Sequence, residues 1–118
     1  MITITESKTG ITVDGHARYA ETGKDIVCAG VCTLIHTLCG AVSKLTVDQI
    51  LYNAKPGHTE IEIPNPSEQS KLLRHSFLVG VRMLEKKYPD HVKVILRGAD
   101  GRKTEGEENE NQKCNEEV

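Results

Sequence analysis

A chain of 118 residues that is 37% hydrophobic but only 3% aromatic can fill one modest core with Ile, Val, Leu and Ala, and it is too short for a second. A net charge of −2 provides no basic footprint for nucleic-acid phosphates. Neither a signal peptide nor an apolar run of membrane-spanning length is read along it, so the expectation is a cytoplasmic protein, without membrane or nucleic-acid partners, whose Cys28, Cys32, Cys39 and Cys114 are reduced.

Ile2-Thr3-Ile4-Thr5 alternates apolar and polar residues like a half-buried strand, and Glu6-Ser7-Lys8-Thr9-Gly10 reads as a hairpin connection to a second strand at Ile11-Thr12-Val13-Asp14. His16 then stands at the end of a regular element. Residues 17–24 have no clean period and are bounded by Gly15 and Gly23, which predicts a mobile loop. Asp25 is a favoured N-cap ahead of an apolar run, so a helix is expected over 25–45, with a stripe of Val27, Val31, Leu34, Ile35, Leu38, Val42 and Leu45.

Strands are read over 47–54 and 59–63 around Lys55-Pro56-Gly57-His58, whose Pro-Gly pair signals a turn. Ser67 opens a second helix with Leu72, Leu73, Phe77, Val81 and Leu84 inward, and Tyr88-Pro89 closes it. Val92, Val94 and Leu96 form a last strand. The order ββαββαβ predicts an α+β domain over 1–99, two helices packed on a mixed or antiparallel sheet. Residues 100–118 are acidic and aperiodic; they read as a disordered, solvated tail rather than an arm for a basic partner.

The chemistry gathers at the start of the first helix. Cys28 falls at the third helical position, where its N–H can bond the Asp25 carboxylate and its sulfur feels the positive end of the helix dipole. With His16 near, the thiol pKa is expected to drop toward neutrality, as a nucleophile requires. The Cys28 and Ala29 amides are candidate oxyanion donors, and the loop, hinged at Gly15 and Gly23, would close over an extended peptide. Asp25 is complete as a cap, with a second role, orienting His16, left open.

Rival readings are weaker. Cys39 reads as core. Cys32, one turn beyond Cys28, lines the site, packs inside, or pairs with Cys28 on oxidation. Cys28, Cys32 and His36 with His16 offer four metal ligands, but ligands on successive helical turns drift around the axis, so neither a metal nor another cofactor is assigned. His36, His58, His75 and His91 read as solvent-facing or structurally satisfied.

The run Asp14-Gly15-His16-Ala17, followed by Gly23, Asp25 and Cys28-Ala29, resembles the ribosomal-processing cysteine proteases (Prp), over about residues 1 to 97. The resemblance implies Cys28 as nucleophile, His16 as general base and Asp25 in support, with Gly15, Ala17, Gly23, Ala29 and Cys32 at the substrate. It departs where the family commonly has Ser, here Cys32. It implies a homodimeric endopeptidase that removes a short N-terminal extension from a large-subunit ribosomal protein, cutting after a hydrophobic segment. The alternatives are a phage-type capsid or scaffold maturation protease and a non-catalytic peptide-binding or ribosome-assembly module.

Overall fold

The computed structural model describes residues 1–8, 10–21 and 24–97. Five strands and two helices follow in the order β1 (Ile2–Glu6), β2 (Gly10–Asp14), α1 (Ile26–Leu45), β3 (Leu51–Lys55), β4 (His58–Glu62), α2 (Glu68–Lys87) and β5 (Val92–Leu96). The strands form one mixed sheet ordered β3-β4-β2-β1-β5, in which only the β1–β5 pair is parallel. The acidic tail and Gly23 lie outside the described residues.

Alternation along β1 and β2 turns Ile2, Ile4, Ile11 and Val13 toward the helices, where they join Ile61, Val92 and the α1 stripe Val27, Val31, Ile35, Leu38 and Val42 in one core. α2 adds Phe77, Leu78 and Val81. Two expected core positions are instead exposed, Leu45 at the end of α1 and Leu72 in the first turns of α2, because neither reaches the sheet. α1 has the expected length, but against the expectation of no apolar run of membrane-spanning length its 20 residues, with a mean hydropathy of 1.9, are long and apolar enough to cross a membrane. Here its buried stripe packs on the sheet.

The third strand begins four residues later than its sequence pattern suggests, at Leu51, and Val47 is fully exposed. Asp48 is the reason. Its carboxylate accepts from the Ser67 N–H at 2.9 Å, from the Ser67 hydroxyl at 2.5 Å and from the Ser70 hydroxyl at 2.5 Å, tying the loop after α1 to the N-terminus of α2. Those bonds hold the Asp48 carboxyl below the usual carboxylate range. The strand can resume only after this tether.

Glu6, expected in a hairpin connection, is the last residue of β1 and is wholly buried. It continues the inward row of Ile2 and Ile4. The Arg74 guanidinium of α2 lies against it, with Nε 3.4 Å from the carboxylate and a second nitrogen donating to the Lys8 carbonyl at 3.2 Å. A buried charge that loses its counter-charge costs far more than the intact pair contributes. Arg74→Ala is therefore expected to lower stability by about 3–5 kcal/mol, seen as an earlier urea midpoint, with much of the loss recovered when Glu6→Met is added. An unchanged midpoint would contradict the pairing.

Candidate active site

The two groups singled out for chemistry come from different elements. His16 follows β2, and Gly15 before it takes a φ of 91°, a conformation that favours glycine, while its N–H donates to the Gly57 carbonyl at 2.9 Å. Cys28 lies in the first turn of α1 and is exposed as a free thiol. His16, Cys28 and Cys32 line both of two adjoining clefts: one of about 790 Å³, which also takes in Arg18, Glu21, Asp25 and Ala29, and one of about 150 Å³ reaching Tyr52 on β3.

Asp25 caps α1 as its sequence position predicts, and it does more. Its Oδ1 accepts from the Cys28 N–H at 2.9 Å, and its Oδ2 accepts from the Tyr19 and Ala20 N–H groups at 3.0 and 3.4 Å. One carboxylate joins the helix start to the preceding loop. Its bonds, that from Cys28 foremost, lower its own pKa. With both oxygens committed to amides, Asp25 makes no hydrogen bond to His16 among the described residues.

Two expectations about this helix start are corrected. The Cys28 N–H is held by the Asp25 side chain and the Ala29 N–H by the Asp25 carbonyl at 3.0 Å, so in this conformation neither amide is free to receive an oxyanion. The Cys28 thiol is also raised, not lowered: lost hydration is the first cause, followed by the negative charge of Asp25 and then by Cys32. The helix dipole would pull the other way, but its leading amide points at a carboxylate that cancels it.

The loop is pinned rather than free along most of its described length. His91 donates from Nδ1 to the Ala17 carbonyl at 2.8 Å, and Tyr19 packs edge-on against Tyr88 and His91. Lys24 N–H bonds to the Glu21 carbonyl at 2.9 Å. Ala17 is only 1% exposed, so it belongs to the core and cannot meet a peptide directly. Ala29 and Cys32 do face the larger cleft, and Gly15 and Cys32 the smaller. Cys39 is half-buried against the core, as expected. Although His16, Cys28, Cys32 and His36 share the smaller cleft, the described residues contain no group of His, Cys, Asp and Glu placed to hold a metal ion.

Three contributors escape a reading of the local sequence. Gly57 turns the β3–β4 hairpin with a φ of 77°, and a Cβ there would meet His16 Nε2 at 3.4 Å, so the turn forms a wall behind the imidazole. Tyr52 reaches the site from an edge strand, its ring 6.0 Å from that of His36. His58 is held between the Asp14 carboxylate and that of Glu60, which lies 2.8 Å from Nε2; Glu60 first and Asp14 second raise its pKa. The Pro-Gly dipeptide marked the turn but not what it backs. Long-range pairing of β2 with β4 brings it there.

A model of the family described as cysteine protease Prp matches residues 1–93. The ribosomal processing cysteine protease Prp of Staphylococcus aureus is 29% identical over 89 residues, 73% of this chain and 84% of that protein. Its Bacillus subtilis counterpart is 30% identical over 87 residues, 68% and 78%. The crystal structure of an essential ribosomal processing protease Prp from S. aureus, in complex with a covalently linked product peptide, superposes with a TM-score of 0.79 at 26% identity, across 82% of this chain and 100% of that one. A fold and site of this kind make the chain a cysteine protease. It belongs to the Prp family.

Gly57→Ala should strain the turn by about 1–2 kcal/mol and, by shifting its backbone, disturb the seat of the His16 ring, which a Cβ there would touch. The expected result is a fall in kcat on a peptide substrate at temperatures where the variant is still folded by circular dichroism. A less stable protein with unchanged kcat would show that the turn does not position His16.

Proposed function

We propose that the chain is an endopeptidase that removes a short N-terminal extension from a large-subunit ribosomal protein, with Cys28 as nucleophile, His16 as general base and Asp25 in support. The observation that carries this reading is the convergence of Cys28 and His16 on the same open clefts from two separately anchored elements. The named activity of the S. aureus and B. subtilis relatives supports the ribosomal substrate, and the covalently linked product peptide in the S. aureus structure supports a peptide as what the site takes.

Because the resting thiol is raised, the nucleophile forms when the peptide arrives: His16 takes the Cys28 proton as the sulfur attacks the carbonyl carbon. The protonated imidazole then gives its proton to the leaving amine, which departs and leaves a thioester. His16 next deprotonates water, which attacks the thioester and returns the thiol. Arg18 is the fixed cation among the residues lining the larger cleft and is the candidate group to stabilise the negative charge that develops on the carbonyl oxygen. No step draws on a metal.

Residues 1–99 act as the catalytic unit and 100–118 as an acidic extension, a division supported by a family match that ends at residue 93. The working form is a cytoplasmic homodimer. Incubating an extension-bearing ribosomal protein with the enzyme in chelator and measuring intact mass tests the reading. Wild type should release the extension, Cys28→Ala should release none, and His16→Ala should slow release by about 10²–10⁴-fold. Cleavage by Cys28→Ala at the wild-type rate would contradict it.

A further inference from the structure

Free cysteine is among the residue types most often buried, and exposure makes a thiol open to oxidation, so two exposed thiols on one helix call for a reason. Cys28 and Cys32 are both free and exposed, whereas Cys39 on the same helix is half-buried against the core. The exposed two line both clefts beside His16. A serine at position 32, which the family commonly carries, would leave Cys28 without a second sulfur next to it.

The two thiols stand one helical turn apart on the same face of α1. Residues so placed have Cα atoms about 6 Å apart, within the span of about 4.4–6.8 Å that a disulfide bridges. Their Cβ atoms lie about 5–6 Å apart, where a relaxed disulfide needs about 3.5–4.5 Å. A bond between them can close only if the first turn of α1 gives by about 1–2 Å. That turn is the part of the helix able to give, because Cys28 is its third residue and its N–H is held by the Asp25 side chain, not by helix backbone. The resulting bond is strained, and strain makes a disulfide easier to reduce. Cys39 lies about 16 Å further along the axis than Cys28 and is out of reach. Cys32 is near enough to contribute, after lost hydration and the charge of Asp25, to the raised pKa of Cys28.

We propose that Cys28 and Cys32 form a reversible oxidation site for hydroperoxides, in which Cys32 is the resolving thiol. The Cys28 sulfur attacks the terminal oxygen of the hydroperoxide, so that an S–O bond forms and the O–O bond breaks. The thiol proton passes by way of His16 to the departing oxygen, which leaves as an alcohol, or as water when the oxidant is hydrogen peroxide. Sulfur loses two electrons and the peroxide gains them, giving Cys28 sulfenic acid. The Cys32 sulfur then attacks that of Cys28; the S–S bond forms, the S–O bond breaks, and hydroxide leaves as water with the Cys32 proton. A dithiol reductant returns both thiols. Because the resting thiol is raised, the first step is slow at neutral pH and speeds as pH rises. On the protease reading, on which this consequence rests, the linked state takes the nucleophile out of reaction. It also spares Cys28 from sulfinic acid, which thiols do not reverse.

Mass analysis tests the site without depending on proteolysis. Full-length wild type and Cys32→Ser are treated with hydrogen peroxide and the remaining thiols are alkylated under denaturing conditions. The tryptic peptide of residues 25–44, which carries Cys28, Cys32 and Cys39, is then read by tandem mass spectrometry. Wild type should give a peptide two hydrogens lighter, linked between Cys28 and Cys32 with Cys39 alkylated, and dithiothreitol should restore the free thiols. Cys32→Ser should accumulate Cys28 sulfinic acid, and after dithiothreitol it should recover about tenfold less of its own untreated cleavage rate than wild type recovers of its own. Cys28 sulfinic acid building up equally fast in both proteins, or Cys28 linked to Cys39 or Cys114 instead, would overturn the site. The two claims separate cleanly: the link forming in a protein that cleaves no extension-bearing ribosomal protein leaves the site standing and removes the protease reading, whereas cleavage without the link removes the site alone.

Discussion

The site depends first on one carboxylate. Asp25 gathers the amides of Cys28, Tyr19 and Ala20, and its own carbonyl takes the Ala29 amide. Through these bonds the start of α1 and the preceding loop become one unit, and the thiol is set in its place at the cleft. After lost hydration, which is the larger cause, the same negative charge adds a cost for reactivity, because it opposes formation of a second negative charge on the sulfur nearby. The arrangement favours position over a pre-ionised nucleophile, and it leaves activation to His16 in the presence of substrate.

The imidazole is held by a different device, the meeting of two chain reversals. Gly15 after β2 and Gly57 between β3 and β4 both adopt positive φ, and their backbones are joined by a hydrogen bond. A Cβ at Gly15 would stand 2.3 Å from the Met1 carbonyl oxygen, so the residue is wedged in place and is a poor hinge. The rest of the loop follows suit: His91 at its carbonyl and Asp25 at its amides limit how far residues 17–20 can move without breaking structure. Substrate therefore meets a largely pre-shaped site, which is consistent with clefts already open in the free protein.

How legible this was in the sequence depended on whether the signal was local. The helix start is a local matter: an Asp, an apolar run and a cysteine three residues on are enough to place Asp25 and Cys28, and the structure puts them in that relation. The two-residue Pro56-Gly57 turn and the Ser67 cap were equally readable. The errors fall where a distant group decides. Val47 carries a strand former's side chain, but Asp48 is claimed by Ser67 and Ser70, 19 and 22 residues away. Glu6 looks like a turn residue until Arg74 arrives from α2. The Cys28 and Ala29 amides look available until the direction of the Asp25 oxygens is known, and Tyr52 becomes a site residue only when the sheet order places β3 beyond the reach of the helices.

The relation between Asp25 and Cys28 is also the point at which the account is most exposed, and it can be reached without a substrate. The rate of Cys28 alkylation by iodoacetamide, followed site by site by peptide mass across pH, reports the thiolate population of the free enzyme. The account predicts a rate that climbs through neutral pH and levels only above the ordinary thiol range of about 8.5, with the curve moving to lower pH in Asp25→Asn, which keeps a capping side chain and removes its charge. A wild-type profile already level near neutrality, unmoved by Asp25→Asn, would mean a preformed thiolate–imidazolium pair and would contradict the assignment of Asp25 as the group that positions the thiol and, with lost hydration, keeps it protonated.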